Sequence, residues 1–334
     1  MKVFGWLADH SGCGWYRVAV PLGQLRQMGH QALWSRRITE EAIEESDVII
    51  CQRTCLPGPT LRYRELSEKR GRKYLLVYEV DDDLLSVDSR NPAARVFAEP
   101  EVRAAIVANA RAADLVTVST EPLAQVMRRY NSNVVVLPNS MPPDMLHWRT
   151  GRQENVYTVG WQGGPTHDRD WQIAAEPIKR WFAAARDLDH PIEMHTVGSV
   201  PDHFPEVYPH RHTDWDPDIF RYYRTLDWHV ALAPLAPSKF NRSKSALRAM
   251  EAAMLGFPVV ASNVEAYGQF VRHGVTGYLV DRASDWDRYL TELLNDPDAR
   301  EAMGAAARTV AREHTIEATA HLWEKAYDGS MAGS

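Results

Sequence analysis

The residues best suited to chemistry in this 334-residue sequence fall into three groups. The first is a polar, basic loop, Phe240-Asn241-Arg242-Ser243-Lys244-Ser245, that runs into a helix-forming stretch from Ala246 to Leu255 containing Glu251. Gly256-Phe257-Pro258 and the apolar Val259-Val260-Ala261-Ser262 follow. A cation in front of a helix start suits an anion, because side-chain charge and helix dipole add there. The second group is Tyr78-Glu79-Val80-Asp81-Asp82-Asp83-Leu84, where an apolar run ends in three carboxylates. Such a run can bind hydroxyls, receive a proton, hold a cation or cap a helix start. The third comprises two glycine turns, Ser11-Gly12-Cys13-Gly14 and Gly160-Trp161-Gln162-Gly163-Gly164-Pro165-Thr166-His167-Asp168. Glycine lets backbone amides approach an anion, although a tight strand-to-helix turn explains a glycine pair equally well. The first turn is not G-x-G-x-x-G, and no acidic residue closes a second strand near Leu33, which argues against a nicotinamide site.

Positioning these groups requires an alternation of short strands and amphipathic helices, and the sequence has it. Strand candidates are Val3 to Ala8, Val48 to Gln52, Tyr74 to Val80, Leu115 to Ser119 and Val134 to Leu137, with helices at Val18 to Met28, Pro59 to Lys69, Glu101 to Ala112 and Glu121 to Tyr130. Pro138-Asn139-Ser140-Met141-Pro142-Pro143 breaks both periodicities, so a domain junction is expected from there to about Asn155. A second series follows: strands at Tyr157 to Gln162, Ile192 to Gly198, Trp228 to Ala233 and Phe257 to Ser262, and helices at Asp170 to Ala185, Pro217 to Leu226, Ser245 to Leu255 and Ser284 to Asn295. A last helix, Ile316 to Tyr327, spaces Ile316, Ala320, Trp323 and Tyr327 along one face. Two doubly wound α/β domains are the expectation.

The 240–262 segment resembles the donor-binding segment of retaining glycosyltransferases with the GT-B fold, particularly family 4. There, the helix reads as an acidic residue, seven others, then Glu-Ala-Met-Ala-x-Gly-x-Pro-Val-Val-Ala-Ser. Leu137-Pro138-Asn139-Ser140 is similar to that family's Val-x-Pro-Asn-Gly junction, Val275 to Val280 to its x-x-x-Gly-x-Leu-Val element, and Ser11 to Arg17 to its first glycine loop. The resemblance runs in order along the whole chain. It implies two Rossmann-like domains facing across a cleft, an acceptor-side domain over 1–148, a nucleotide-sugar domain over 155–312 and a terminal helix over 313–330 that crosses back.

By that resemblance the chain moves a sugar from a nucleoside diphosphate sugar to a hydroxyl with retention of configuration. An epimerase or phosphorylase on the same fold, or an inactive nucleotide-sugar binder, is the alternative. Implied donor contacts are Gly12, Gly14, Gly163, Gly164, His167, Asn241, Arg242, Lys244, Ser245 and Glu251, with Glu251 on the ribose hydroxyls. Asp81, Asp82 and Lys244 are the candidate catalytic residues, Lys244 stabilising charge that grows on the leaving diphosphate. Three departures stand out. Ser243 replaces the first acid of the Glu-x7-Glu pattern, the segment from Gly160 lacks the family's Arg and Lys, and Asp81-Asp82 stand where the family commonly has His-Asp. No tightly bound cofactor and no metal ligands are expected, so chemistry should not require a divalent ion.

Composition narrows the partners. Hydrophobic residues make up 45% and charged residues 25%, with a net charge of −6, a globular profile without the basic excess of a dedicated nucleic-acid binder. Residues 1–150 hold 19 Lys and Arg against 18 Asp and Glu, whereas 151–334 hold 19 against 26, so the first half is the expected host of an acidic partner. A basic cluster, Arg62, Arg64, Lys69, Arg70, Arg72 and Lys73, is either a solvated helix end or an acceptor-docking patch. A glycan, small molecule or protein hydroxyl is preferred over nucleic acid as acceptor. Cys13, Cys51 and Cys55 form no C-x-x-C pair and read as free thiols. The apolar start Met1 to Ala8 is short for a signal peptide, and no run of about 18 apolar residues occurs, so the expectation is a cytoplasmic protein without a membrane span, in the host cytoplasm if phage-encoded.

Overall fold

The computed structural model describes residues 1–10, 12–148, 155–185, 191–201 and 209–331. Ser11 of the first glycine turn and residues 149–154 of the expected junction lie outside the described residues. The chain divides into two compact units. Unit 1 comprises Met1–Pro142, Ser243–Ser245 and the chain from His314, and unit 2 comprises Pro143–Arg242 and Ala246–Glu313. The short stretch carrying Lys244 therefore groups with the first unit.

Unit 1 is built on six parallel strands, β1 (Lys2–Trp6), β2 (Gln31–Ser35), β3 (Val48–Gln52), β4 (Leu75–Val80), β5 (Leu115–Val118) and β6 (Val134–Val136), in the order β2-β1-β3-β4-β5-β6. Strand periodicity sends alternate side chains to opposite faces, and both faces are covered. Ile49, Cys51, Leu76 and Tyr78 join one apolar cluster, while Val48, Ile50, Leu75 and Val77 join another. The latter also contains Leu22 and Leu25, from the helix Val20–Gln27, and Ile316, Ala320, Trp323 and Tyr327 from the helix Ile316–Met331. The face read from the terminal helix thus packs on the first sheet. Its start is tied by Met141 N donating to His314 O and Ile316 N donating to Met141 O.

Unit 2 repeats the plan with β7 (Tyr157–Gly163), β8 (Ile192–Gly198), β9 (His210–Asp214), β10 (Val230–Ala233), β11 (Val259–Ser262) and β12 (Gly277–Val280), all parallel, in the order β12-β11-β10-β7-β8-β9. Gly160 in β7 is needed because a Cβ there would collide with the Trp228 indole. The helix expected from Ser245 begins instead at Leu247 and runs to Leu255, stopped by Gly256 at φ 78° in the left-handed region. Glu251 therefore sits about one turn inside it. Two Rossmann-like six-stranded sheets agree with the expected fold class. β9 and β12 were not legible as strands, and β2 only as a second strand near Leu33; all three are sheet edges whose outer faces are less apolar.

Candidate functional site

In open parallel sheets, ligands gather at the carboxyl ends of the strands. In unit 1 the sheet order sets β1, β3 and β4 side by side, so the segments after them meet. β1 leads to Gly12–Gly14 and then a π-helical turn, Trp15–Ala19. A Cβ on Gly14 would strike the Asp9 carbonyl, and the Gly14 amide donates to Asp9 Oδ1 at 3.3 Å. Beside Gly12 there is open space. β3 leads to Arg53, the one non-glycine residue with positive φ, 48°, among the described residues, an uncommon conformation for a side chain of that size. Its Nε lies 3.6 Å from Asp81 Oδ1. Loss of hydration is the largest single effect and opposes its charge, but Asp81, Cys13, Asp82 and Asp9 together more than offset it and raise its pKa. Cys13 is a free thiol, pushed up by burial and then by Asp81, and so stays protonated; Cys51 and Cys55 are also free.

Asp82 pairs with Lys244, whose Nζ is 3.3 Å from Oδ1 and 3.4 Å from Oδ2. Asp83 is 2% exposed, its carboxylate has no hydrogen-bond partner among the described residues, and it makes no side-chain cap to the 3-10 turn after it. Behind these lies a buried network invisible to local sequence reading. Arg17 Nε donates to Glu79 Oε1 at 2.7 Å, and its Nη1 donates to Leu137 O at 2.6 Å and Asn139 Oδ1 at 3.0 Å. Asn139 Nδ2 donates onward to Ser245 Oγ at 2.8 Å, and Thr120 Oγ1 to Ser243 O at 2.8 Å. Lys244 is held on both sides by these bonds. Thr117 also donates to Glu79, yet burial outweighs Arg17 and Thr117 and raises the Glu79 pKa.

In unit 2, β7 ends in Gly163-Gly164, the turn Pro165–His167 and the helix Asp168–Ala184. A Cβ on Gly163 would stand 2.8 Å from the Trp161 ring and 3.2 Å from Arg248 Nη2, whereas Gly164 faces open space. His167 Nδ1 is 2.8 Å from Asp170 Oδ2. Asp170 Oδ1 accepts from Ala236 N at 2.9 Å and Asn241 Nδ2 at 2.7 Å. Burial pushes Asp170 up, but His167, Arg248 and the Ala236 amide together hold it below the usual carboxylate range. Glu251 is buried and accepts from Gln162 Nε2 and the Tyr223 hydroxyl. Arg242 is exposed.

The sequence-derived candidates thus separate by unit. Gly12, Gly14, Asp81, Asp82, Lys244 and Ser245 belong to unit 1, and Gly163, Gly164, His167, Asn241, Arg242 and Glu251 to unit 2. Sequence reasoning missed Arg17, Glu79, Arg53, Gln162, Tyr223 and Arg248. For Arg248 a signal existed: three residues before Glu251, it shares that helix face. Among the described residues no group of three or more His, Cys, Asp or Glu side chains is placed to hold a metal ion, and no helix is long and apolar enough to cross a membrane. In the basic cluster, Arg62 pairs with Glu40 and Glu65, and Arg72 with Asp114.

Residues 225–310 match the sequence model of the glycosyl transferases group 1. A D-inositol 3-phosphate glycosyltransferase of Paenarthrobacter aurescens is 32% identical over 156 residues, which are 46% of this chain and 35% of that protein. The same-named protein of Rhodococcus jostii is 42% identical over 99 residues, 29% of this chain and 22% of that one. The chain therefore spans about a third or less of the length of these relatives. Sucrose-phosphate synthase from Thermosynechococcus elongatus superposes with a TM-score of 0.68 at 15% identity, covering 100% of both chains. HepE of Anabaena, solved in complex with UDP, superposes at 0.65 with 14% identity, covering 98% of this chain and 100% of that one. The chain has the GT-B fold, with a glycosyl transferases group 1 segment over residues 225–310.

Proposed function

We propose that the protein is a glycosyltransferase that moves a sugar from a nucleoside diphosphate sugar to a hydroxyl acceptor, with retention of anomeric configuration. The observation that carries this is the match over 225–310, which contains Lys244, Arg248 and Glu251, together with the side-chain-free Gly163-Gly164 turn after β7. The UDP bound by Anabaena HepE supports a nucleoside diphosphate as the donor's nucleotide part. In this reading the unit 2 strand ends take the donor, and Glu251 accepts from the ribose hydroxyls. Its present partners, Gln162 and Tyr223, then orient the carboxylate. Negative charge grows on the diphosphate as the glycosidic bond breaks, and Lys244 stabilises that charge more in the transition state than in the ground state. Asp82 holds the ammonium in place meanwhile. Asp81 and Asp82 bind hydroxyls of the reacting sugar or acceptor, and a divalent ion is not required for the chemical step.

The acceptor in this proposal is a neutral glycan, small molecule or protein hydroxyl rather than nucleic acid. Two of the six arginines and lysines of the basic cluster already face acids, which leaves four, a modest patch beside a dedicated nucleic-acid-binding face. Incubating the protein with a panel of nucleoside diphosphate sugars, with and without acceptors, tests the activity. Acceptor-dependent release of nucleoside diphosphate, surviving chelation, is expected. Donor conversion without any acceptor would replace this reading with an epimerase, and saturable binding without turnover with an inactive binder.

A further inference from the structure

We infer that Arg248 is the cation that receives the donor's diphosphate in unit 2, in place of the arginine and lysine that the segment after Gly160 lacks. This rests on the donor reading above and adds a residue to it. Arg248 comes from the helix Leu247–Leu255, not from the glycine turn, but its guanidinium reaches that turn. Nη2 would be 3.2 Å from a Cβ on Gly163, a close approach that places the guanidinium tip beside the turn. The guanidinium lies 6.0 Å from the Trp161 ring centroid, which fixes its plane without using its N–H groups. Both Nη1 and Nη2 are buried and have no hydrogen-bond partner among the described residues.

A guanidinium carries five donors in a planar fork matched to phosphate oxygens, and leaving two nitrogens unmet in a buried place is costly. The neighbouring acids do not meet them. Asp170 accepts from His167, the Ala236 amide and Asn241, and Glu251 from Gln162 and Tyr223. Arg248 is felt electrostatically by Asp170, and by charge and side-chain hydrogen bonding it opposes the rise of the Tyr267 hydroxyl, which burial pushes up to about 12; that neutral hydroxyl lies near the guanidinium but supplies it no counter-charge. The open side of Gly164 gives an anion room beside the fork. Because Glu251 lies one turn on along the same helix, one element would present a carboxylate to the ribose and a fork to the diphosphate.

The test is binding of UDP, GDP and ADP against uridine, guanosine and adenosine by titration calorimetry, with wild type, Arg248→Met and Arg248→Lys. Methionine keeps the stem packed on Trp161 while removing the charge. Wild type is expected to prefer one diphosphate over its own nucleoside. Arg248→Met should lose about 10- to 100-fold in affinity for that diphosphate and keep its affinity for the nucleoside. Arg248→Lys, retaining charge without the fork, should fall between them. If Arg248→Met keeps nucleoside binding and loses no diphosphate preference, Arg248 is a packing residue and the donor reading stands without it. Equal loss for both ligands makes its role one of shaping the site and overturns the assignment. Wild type that binds none of the six overturns the donor reading and the assignment with it.

Discussion

The two sheets end their strands in opposite electrostatic conditions. In unit 1 the basic groups are matched to acids: Arg17 to Glu79, Arg53 to Asp81 and Lys244 to Asp82. In unit 2 the buried acids Asp170 and Glu251 take their bonds from His167, an amide and the neutral groups of Asn241, Gln162 and Tyr223. Arg248 there makes no ion pair within 4 Å among the described residues, and two of its nitrogens stay unmet. Total charge runs the other way, since the half beginning at 151 carries the large acidic excess. The lesson is that net charge describes the solvated surface, whereas recognition depends on which buried charge has been left without a partner. A self-neutralised end suits hydroxyls, and an unmatched cation suits phosphate.

The comparison breaks most severely if the unit 1 pairs are dispensable. Arg17 and Glu79 are 1% and 0% exposed, and removing one partner of a buried pair leaves an uncompensated charge. Arg17→Met should therefore lower unfolding free energy by about 3–5 kcal/mol, read from urea denaturation. Adding Glu79→Leu should recover most of it, because the charge that needed a partner is then gone. A single variant as stable as wild type would mean that the Thr117 hydroxyl and protonation of Glu79 suffice without Arg17.

Next in size is the pair expected to take part in chemistry. Lys244→Ala should lower turnover by roughly 10²-fold or more, the scale of losing one donor to transition-state charge. Lys244 and Asp82 are partly exposed, at 18% and 21%, so the melting temperature should hardly move. Near-normal turnover would leave the pair as a surface contact and remove the chemical distinction from the Arg17–Glu79 pair behind it.

How much of this was legible in the sequence depended on whether a feature is local. Central strands such as β3 and β4 are apolar on both faces and stood out as runs. Edge strands such as β9, His210–Asp214, whose side chains alternate between exposed and half-buried, did not. Lys244 and Glu251 were legible because one continuous segment carries both. The partners of Arg17 lie on two distant segments, at Glu79 and at Leu137 to Asn139, and the unmet nitrogens of Arg248 are defined by what tertiary packing fails to bring, which no window of sequence contains. The acidic run Asp81 to Asp83 was visible as a motif, but only packing distinguishes its members.

Asp83 sharpens the contrast inside unit 1, since it is a buried acid whose carboxylate has no hydrogen-bond partner among the described residues. Asp83→Asn should raise unfolding free energy by about 1 kcal/mol, because a buried carboxylate with neither oxygen bonded is replaced by a neutral group of the same shape. Urea denaturation beside Arg17→Met provides the scale. A loss of stability would show that the carboxylate is held by an interaction that its buried surroundings provide only when it is ionised.

The units should also respond to pH with opposite signs. Asp170 is held below its ordinary value of 3.8, so its contribution is present above that pH and is lost as pH falls through the lower folded value. Glu79 is raised from 4.5, so its contribution is fully present below 4.5 and is lost as pH rises through the higher folded value. Thermal midpoints measured across the acid range should therefore lose acid sensitivity in Asp170→Asn, whereas Glu79→Gln should remove a decline on the less acidic side. The same profile in both variants would dissolve the distinction.

The smallest effect is expected at the basic cluster, where the whole-chain charge balance first pointed. Arg64, Arg70 and Lys73 are exposed, while Arg72 is engaged by Asp114, whose other oxygen accepts from the Leu76 amide at 2.7 Å. Changing Arg64, Arg70 and Lys73 to glutamine leaves that bond intact and removes only solvated charge. If these residues docked a polyanionic acceptor, three phosphate contacts would give roughly a 20- to 40-fold loss of affinity between about 50 and 200 mM salt. For a neutral hydroxyl acceptor, transfer should change less than about twofold over that range, in wild type and triple variant alike, since exposed charges are screened within about a Debye length. Steep salt dependence in wild type that flattens in the triple variant would move phosphate recognition to unit 1 as well, and the division between a neutral and a cationic strand end would then describe only the interior of each site.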